Sequence, residues 1–251
     1  MDTSAILTVV ALVLSAASVV ITGLFSIRTA RLSHELEAQR EERQEELSAI
    51  KAAERVYEPL AQAAAELQSR IFNIVETGWI GMQKRYESHG DYAVTSTAFL
   101  FAHYFGWIEA RRQAVLASSG EGGRDVSVQK YIDGVLKVLR RSDDSEGFLF
   151  FSTEQRAIGE LMLSWETISE TGLRIPNVMG YAAFAERYRH NPEFVAWFSP
   201  IDTGMLLVAK GDNRRLVAIQ HALVELIDAL DPKRKYTAGY ALEPIDLSDG
   251  V

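Results

Sequence analysis

The chain has 251 residues, a formal net charge of −8 and no cysteine. That composition excludes disulfides, thiolate catalysis and cysteine-based metal sites, and its acidic balance argues against nucleic acid as a partner. Hydrophobic residues are 47% of the chain and aromatics 10%, enough to fill a core.

Residues 1–27 read as one transmembrane anchor. Ala5 to Ile27 carries no charge and no proline. At about 1.5 Å per residue such a helix crosses the ~30 Å hydrocarbon layer and satisfies its own backbone groups. A cleaved signal peptide fits less well. Met1-Asp2-Thr3-Ser4 has no basic residue, the apolar run is long, and Phe25-Ser26-Ile27 is not a small-x-small cleavage site. Arg28 and Arg31 follow the span, with Arg40 and Arg43 beyond them. The positive-inside rule then places the N-terminus outside and the body in the cytoplasm, with an inner membrane as the expected location.

Within the span, Ser4, Thr8, Ala11, Ser15, Ser18, Thr22 and Ser26 recur at steps of four and three and share one helix face. Two readings stand side by side. The stripe is a contact face for a second copy or for another membrane protein, or its hydroxyls bond their own i−4 carbonyls while facing lipid.

Residues 28–56 form a charged helical stalk, rich in Glu, Arg, Gln and Ala and free of Gly and Pro. A coiled coil with Leu32 at d and Leu36 at a would carry Gln39, Arg43 and Glu46 in its seam, which is too polar for a stable two-stranded coil. The alternatives are a solvated helix with local ion pairs, such as Glu37 with Arg40, and a weak oligomeric stalk.

From 57 to 232 the pattern is helical, and the expected fold is an all-α bundle of about six helices. Pro59 suggests a helix start or kink near Glu58. Leu60, Ala64, Leu67, Ile71, Ile74 and Val75 then make a buried stripe, closed by Gly78 and Gly81. A helix from Thr95 to Leu116 is apolar all round in its first half. Its uncharged run from Tyr92 to Ile108 is short for a span and contains His103, so it reads as a central core helix. After the Gly/Ser loop 118–124, Asp125 is the expected N-cap of a helix from Val126 to Arg140, with Tyr131, Val135, Leu136 and Leu139 inward. Phe148-Leu-Phe-Phe151 is a short strand or an apolar plug. Ser152-Thr-Glu-Gln155 reads as a capping box for a helix running to about Glu170 and ended by Gly172. Tyr181 to His190 is a shorter helix, and Asn191-Pro192 opens another with Phe194 and Trp197 as apolar anchors. Leu216, Ile219, Leu223, Leu226, Ile227 and Leu230 mark the last helix, stopped by Asp231-Pro232. Residues 233–251 read as a flexible tail, and no strand alternation is evident.

Several stretches carry a resemblance: Tyr57-Glu-Pro-Leu60, Leu67-Gln-Ser-Arg-Ile71 with Asn73-Ile74, Tyr104-Phe-Gly-Trp107 with Glu109, and Glu154-Gln-Arg-Ala-Ile-Gly-Glu-Leu-Met162. Together they resemble a family of uncharacterised bacterial proteins with a single-pass anchor and a helical body. The resemblance implies that architecture and no activity.

Catalytic motifs do not appear. There are no Glu-x-x-His pairs, no His-Glu-x-x-His, no Gly-x-Ser-x-Gly and no phosphate-binding Gly-rich loop. His221 and Glu225 share a face but make one pair only. No metal, cofactor or catalytic residue is expected. What remains is polar residues within apolar helices: Gln68, His103 and Gln155, and above all Arg70, Glu109, Arg156 and Glu160. Buried charge needs a partner, and Arg70, Arg112 or Arg156 should meet Glu109 or Glu160. Such a cluster either lines a small-ligand pocket or consists of ion pairs that fix helix register. The expected function is an interaction, scaffolding or sensing module at the cytoplasmic face of a bacterial membrane. Its partners would be the bilayer and possible copies or membrane proteins. A membrane-tethered enzyme or small-molecule sensor is the alternative.

Overall fold

In the N-terminal part, residues 28–29, 33–37, 39–40 and 43 are helical and solvent-exposed, as a solvated helix requires. The computed structural model describes these residues together with 55–78, 90–117, 123–142, 147–167 and 174–246. The expected anchor at 1–27 and its Ser/Thr stripe lie outside the described residues. Residues 1–48 and 49–251 form two separate units, and everything below concerns the second.

Helix α1 spans residues 55–76. Leu60, Ala61, Ala64, Leu67, Ile71 and Ile74 are buried along one stripe, as the spacing predicts. The helix is already formed at Arg55, so it does not start at Glu58. Pro59 forfeits one amide bond but keeps a helical φ, and Val56 and Tyr57 upstream gain burial by continuing the helix. Gly78, at φ +61°, ends it in the left-handed conformation that glycine adopts freely.

Helix α2, Gly90–Ala117, is the wall shared by its neighbours. It packs against α4 (Ser152–Met162), α5 (Tyr181–His190), α7 (Ser199–Val208), and strands β1 (Leu163–Thr167) and β2 (Arg174–Val178). Its Ala98, Phe101, Ala102, Tyr104 and Phe105 are buried. The apolar run is thus a core helix, and among the described residues no helix is long and apolar enough to cross a membrane.

Helix α3, Gly123–Arg140, lies along α8, Arg214–Leu230. Val128, Ile132, Val135 and Leu139 face the six expected α8 residues from Leu216 to Leu230, all buried. Asp125 is not the cap, because the helix begins two residues earlier. Arg215 of α8 is buried and donates to Val138 O at 2.9 Å and to Arg141 O, so it caps the carbonyl end of α3.

Residues 148–151 are a plug, not a strand. Phe148 and Phe150 are buried against Phe101, and the Phe105 and Phe150 rings meet edge to face at 5.4 Å. Phe148 holds φ +54°, an uncommon conformation for a bulky residue. Its amide donates to Pro200 O at 2.9 Å. The N-cap of α4 is Phe151, one residue before the expected serine, and its amide donates to Glu154 Oε2 at 2.7 Å. A phenyl ring cannot accept a bond, so only this half of a capping box forms.

The expected helix to Glu170 stops at Met162. Leu163–Thr167 pairs antiparallel with Arg174–Val178, Leu163 opposite Val178 and Thr167 opposite Arg174. Ser164 to Thr167 are all exposed, so no in–out alternation betrays the strand. The body is the helical bundle expected, with this one two-stranded hairpin added to it among the described residues.

Three helices follow: α5, the short α6 (Pro192–Ala196) and α7. Asn191 caps α6 as expected, its Oδ1 accepting from the Phe194 amide at 3.0 Å. Phe184, Phe194 and Phe198 meet at 5.2–5.4 Å between centroids. Phe198, not the partly exposed Trp197, is the second anchor. Helix α7 is not among the elements expected from the residue spacing.

The C-terminal segment through residue 246 is pinned to α8, unlike the expected loose tail. The Asp231 carboxylate accepts from the amides of Lys235, Tyr236 and Thr237 and from Thr237 Oγ1. Burial alone would raise its pKa, but these bonds outweigh burial and hold it below the usual value. Gln220 donates to Glu243 O at 2.8 Å and accepts from Ile245 N at 3.1 Å.

The plug crosses α7 where there is no side chain. A Cβ at Gly204 would sit 2.4 Å from the Phe148 ring, and Phe148 is itself locked between Phe101 and Pro200 O. Gly204→Ala is therefore expected to destabilise the fold by about 2 kcal/mol in denaturant melts. Gly134→Ala, where nothing lies within 4 Å, is the control and is expected to be neutral or slightly stabilising.

Candidate functional site

Three of the four expected cluster residues meet where α4 crosses α2. Glu109 is on the buried side of α2, its side chain 5% exposed. Its carboxylate accepts from Arg112 Nε at 2.7 Å, Arg112 Nη2 at 2.5 Å and Gln113 Nε2 at 2.8 Å. Burial would raise the Glu109 pKa. The bonds from Arg112 and Gln113, with Arg156 nearby, outweigh burial and hold it below the usual range. The bonds to Glu109 raise Arg112 in turn.

On α4, Arg156 and Glu160 pair at 2.9 Å with both side chains more than half exposed. Gly159 allows the crossing. A Cβ there would sit 2.7 Å from Phe105 O and 3.0 Å from Glu109 Cβ. The bare glycine brings α4 onto α2 beside Glu109, and the bidentate clamp from Arg112, one turn along α2 itself, satisfies the carboxylate that this crossing buries.

Arg70 is elsewhere. It projects from α1 toward the start of α2 and donates to Ser96 Oγ at 2.8 Å and Thr97 Oγ1 at 3.1 Å. Tyr92 also hydrogen-bonds to it, and Tyr181 of α5 lies within electrostatic reach. The α1–α2 packing runs antiparallel from there. Glu66, one turn before Arg70, faces His103 with 3.7 Å between Oε2 and Nδ1. Trp107 Nε1 donates to His103 Nε2 at 3.0 Å. An indole can only donate, so His103 Nε2 accepts and the neutral ring carries its proton on Nδ1, toward Glu66. Phe99 stacks on His103 at 5.0 Å between centroids and touches Tyr181 edge-on at 5.2 Å.

Tyr92, Ser96, Phe99, His103 and Trp107 thus form one half-polar stripe on α2, running from Arg70 to Glu66. Its spacing of four, three, four and four is readable in the sequence, but the apolar run around it hides it. The contribution of Tyr181 comes from a distant helix and leaves no sequence signal.

Among the described residues, no group of three or more His, Asp or Glu side chains is placed to hold a metal. His221 does not join Glu225 in a site; its Nε2 meets Ile245 O at 2.8 Å and helps hold the C-terminal segment. No family model, no curated protein and no solved structure matches the chain.

The two carboxylates of the α2–α4 contact are expected to behave differently. Glu109→Gln replaces a buried carboxylate that accepts three hydrogen bonds, leaves the partly exposed Arg112 without its charged partner, and should cost about 2 kcal/mol. Glu160→Gln, exposed, should cost about 0.5 kcal/mol or less. Because Glu109 titrates lower folded than unfolded, its contribution is complete above the unfolded carboxylate value. It is lost as pH falls through the folded value. Urea melts at neutral pH and in acid should therefore show the Glu109→Gln deficit shrinking in acid.

Proposed function

We propose that the chain is a single-pass membrane protein whose helical body works as an interaction module at the cytoplasmic face of a bacterial membrane. The observation that carries this reading is the uncharged apolar run from Ala5 to Ile27, followed by Arg28 and Arg31. A run of that length is driven out of water by its apolar side chains and is long enough to span lipid. Exposed helix over residues 33–37 and 39–40 fits a stalk. The closed Glu109–Arg112 contact and the absence of catalytic motifs favour binding over catalysis as the role of the body.

The test uses the absence of native cysteine. Membranes from cells making the full chain are washed with alkaline carbonate. Single cysteines at Thr3→Cys and Asp246→Cys are probed with a membrane-impermeant maleimide. The full chain is expected in the washed pellet, with Thr3→Cys labelled in intact cells and Asp246→Cys labelled only after lysis. Recovery in the supernatant, or a mature form lacking the first two dozen or so residues, contradicts the reading.

A further inference from the structure

The two edges of the β1–β2 hairpin are not alike. Met179 N donates to Met162 O at 2.9 Å, just before the strands begin. Bonded and non-bonded pairs alternate along an antiparallel ladder. Ser164 with Asn177 and Glu166 with Ile175 are therefore bonded pairs, and Trp165 opposite Pro176 is not. Pro176 has no N–H to give, so it fits only such a place. The backbone groups of Leu163, Trp165 and Thr167 thus point away from β2, and those of Pro176 and Val178 point away from β1.

The β2 edge is guarded. Pro176 offers no donor, and the Val178 amide already donates to Asn177 Oδ1 at 2.8 Å. The β1 edge has no such guard. The Leu163 amide is taken by Glu160 O, but the Leu163 carbonyl, both groups of Trp165 and the Thr167 amide are directed outward. Among the described residues no third strand joins the sheet. Ser164 to Thr167 are all exposed, and Trp165 is 45% exposed even with Arg174 5.1 Å above its ring, so the body does not cover this edge. A two-stranded ribbon gains stability from further strands.

We propose that β1 pairs antiparallel with β1 of a second copy of this chain, joining two hairpins into one four-stranded sheet about a two-fold axis at Trp165. The side chains of β1 choose this occupant and this register. Centring on Trp165 engages all five residues of the strand. Each Trp165 amide meets the partner's Trp165 carbonyl, and each Thr167 amide meets the partner's Leu163 carbonyl. Each Ser164 hydroxyl then lies opposite the partner's Glu166 carboxylate, a donor facing an acceptor. Moving the centre to Glu166 would set the two Glu166 carboxylates opposite each other at the closest approach of the strands, which is repulsive. The contact is isologous, so every favourable pair occurs twice. It belongs to the folded body and does not depend on residues 5–27 entering a bilayer.

Sedimentation equilibrium of the full chain in nonionic detergent, over a dilution series, tests this pairing. Wild type is expected to form a reversible dimer. Ser164→Glu sets carboxylates opposite each other at both ends of the contact. It is expected to weaken the dimer about tenfold, with helicity and melting unchanged because position 164 is exposed. Ser164→Glu/Glu166→Ser exchanges the two residues, recreates the facing pair and is expected to restore wild-type affinity. If Ser164→Glu melts early, Thr167→Pro carries the comparison by the same criterion, since it removes an outward donor and leaves the ladder to β2 intact. A monomer at every concentration, which would leave the edge to an extended segment of another protein, overturns the proposal. So does a dimer that Ser164→Glu leaves as tight as wild type, as one made through residues 5–27 would be, or a loss that the exchange fails to repair.

Discussion

A helix that is apolar through its middle turns has to be covered, and α2 is the longest helix among those described, at 28 residues. Covering it decides where its neighbours go. α4 can lie on it only because Gly159 presents bare backbone to Phe105 O, and β2 only because Gly106 leaves room for Val178, whose Cγ1 would sit 2.6 Å from a Cβ there. The phenylalanine plug fills the space beside Phe101 and Phe105, and α7 yields to it at Gly204. Dispersion and apolar burial do the stabilising, and glycines at the crossings set how close the elements come.

Buried polar side chains then tie the irregular segments to this frame. Arg215 closes the carbonyl end of α3, and Gln155 donates to Phe150 O and Leu136 O. Asp231 and Gln220 hold residues 235–245 against α8. In each case a backbone group in a loop or in the last turns of a helix that would otherwise lose its bond to water finds a side chain. Among the described residues, some fully buried polar groups make no such bond. The Gln68 amide and the Tyr104 hydroxyl are buried without partners, and burial pushes the Tyr104 phenol well above its usual value. They weaken the α1–α2 core where Arg70 and Glu66 strengthen its edge.

Elements with strong periodicity and clear stop signals were legible in the sequence. The α8 stripe, the Asn191 cap, the Gly78 terminator and the core placement of the Tyr92–Ile108 run follow from spacing and local chemistry. The hairpin was not legible, because Ser164 to Thr167 face solvent and leave no alternation. Nor was α7, where the helix signal is interrupted by Pro200 and Gly204. The polar cluster divided for a similar reason. Glu109 took its partner from its own next turn at Arg112, a local rule, whereas Arg70 was claimed by hydroxyls on a different helix, which only the tertiary fold can specify.

The apolar middle of α2, as the wall shared by its neighbours, is expected to be the last part of the body to open. Native-state hydrogen exchange on the full chain, followed across low urea concentrations, tests this most directly. Amides of residues 98–105 should exchange only through global unfolding, with the same urea dependence as the melt. Exchange of those amides by local opening, while α3 and α8 stay protected, would show that α2 is not the wall on which the other elements depend.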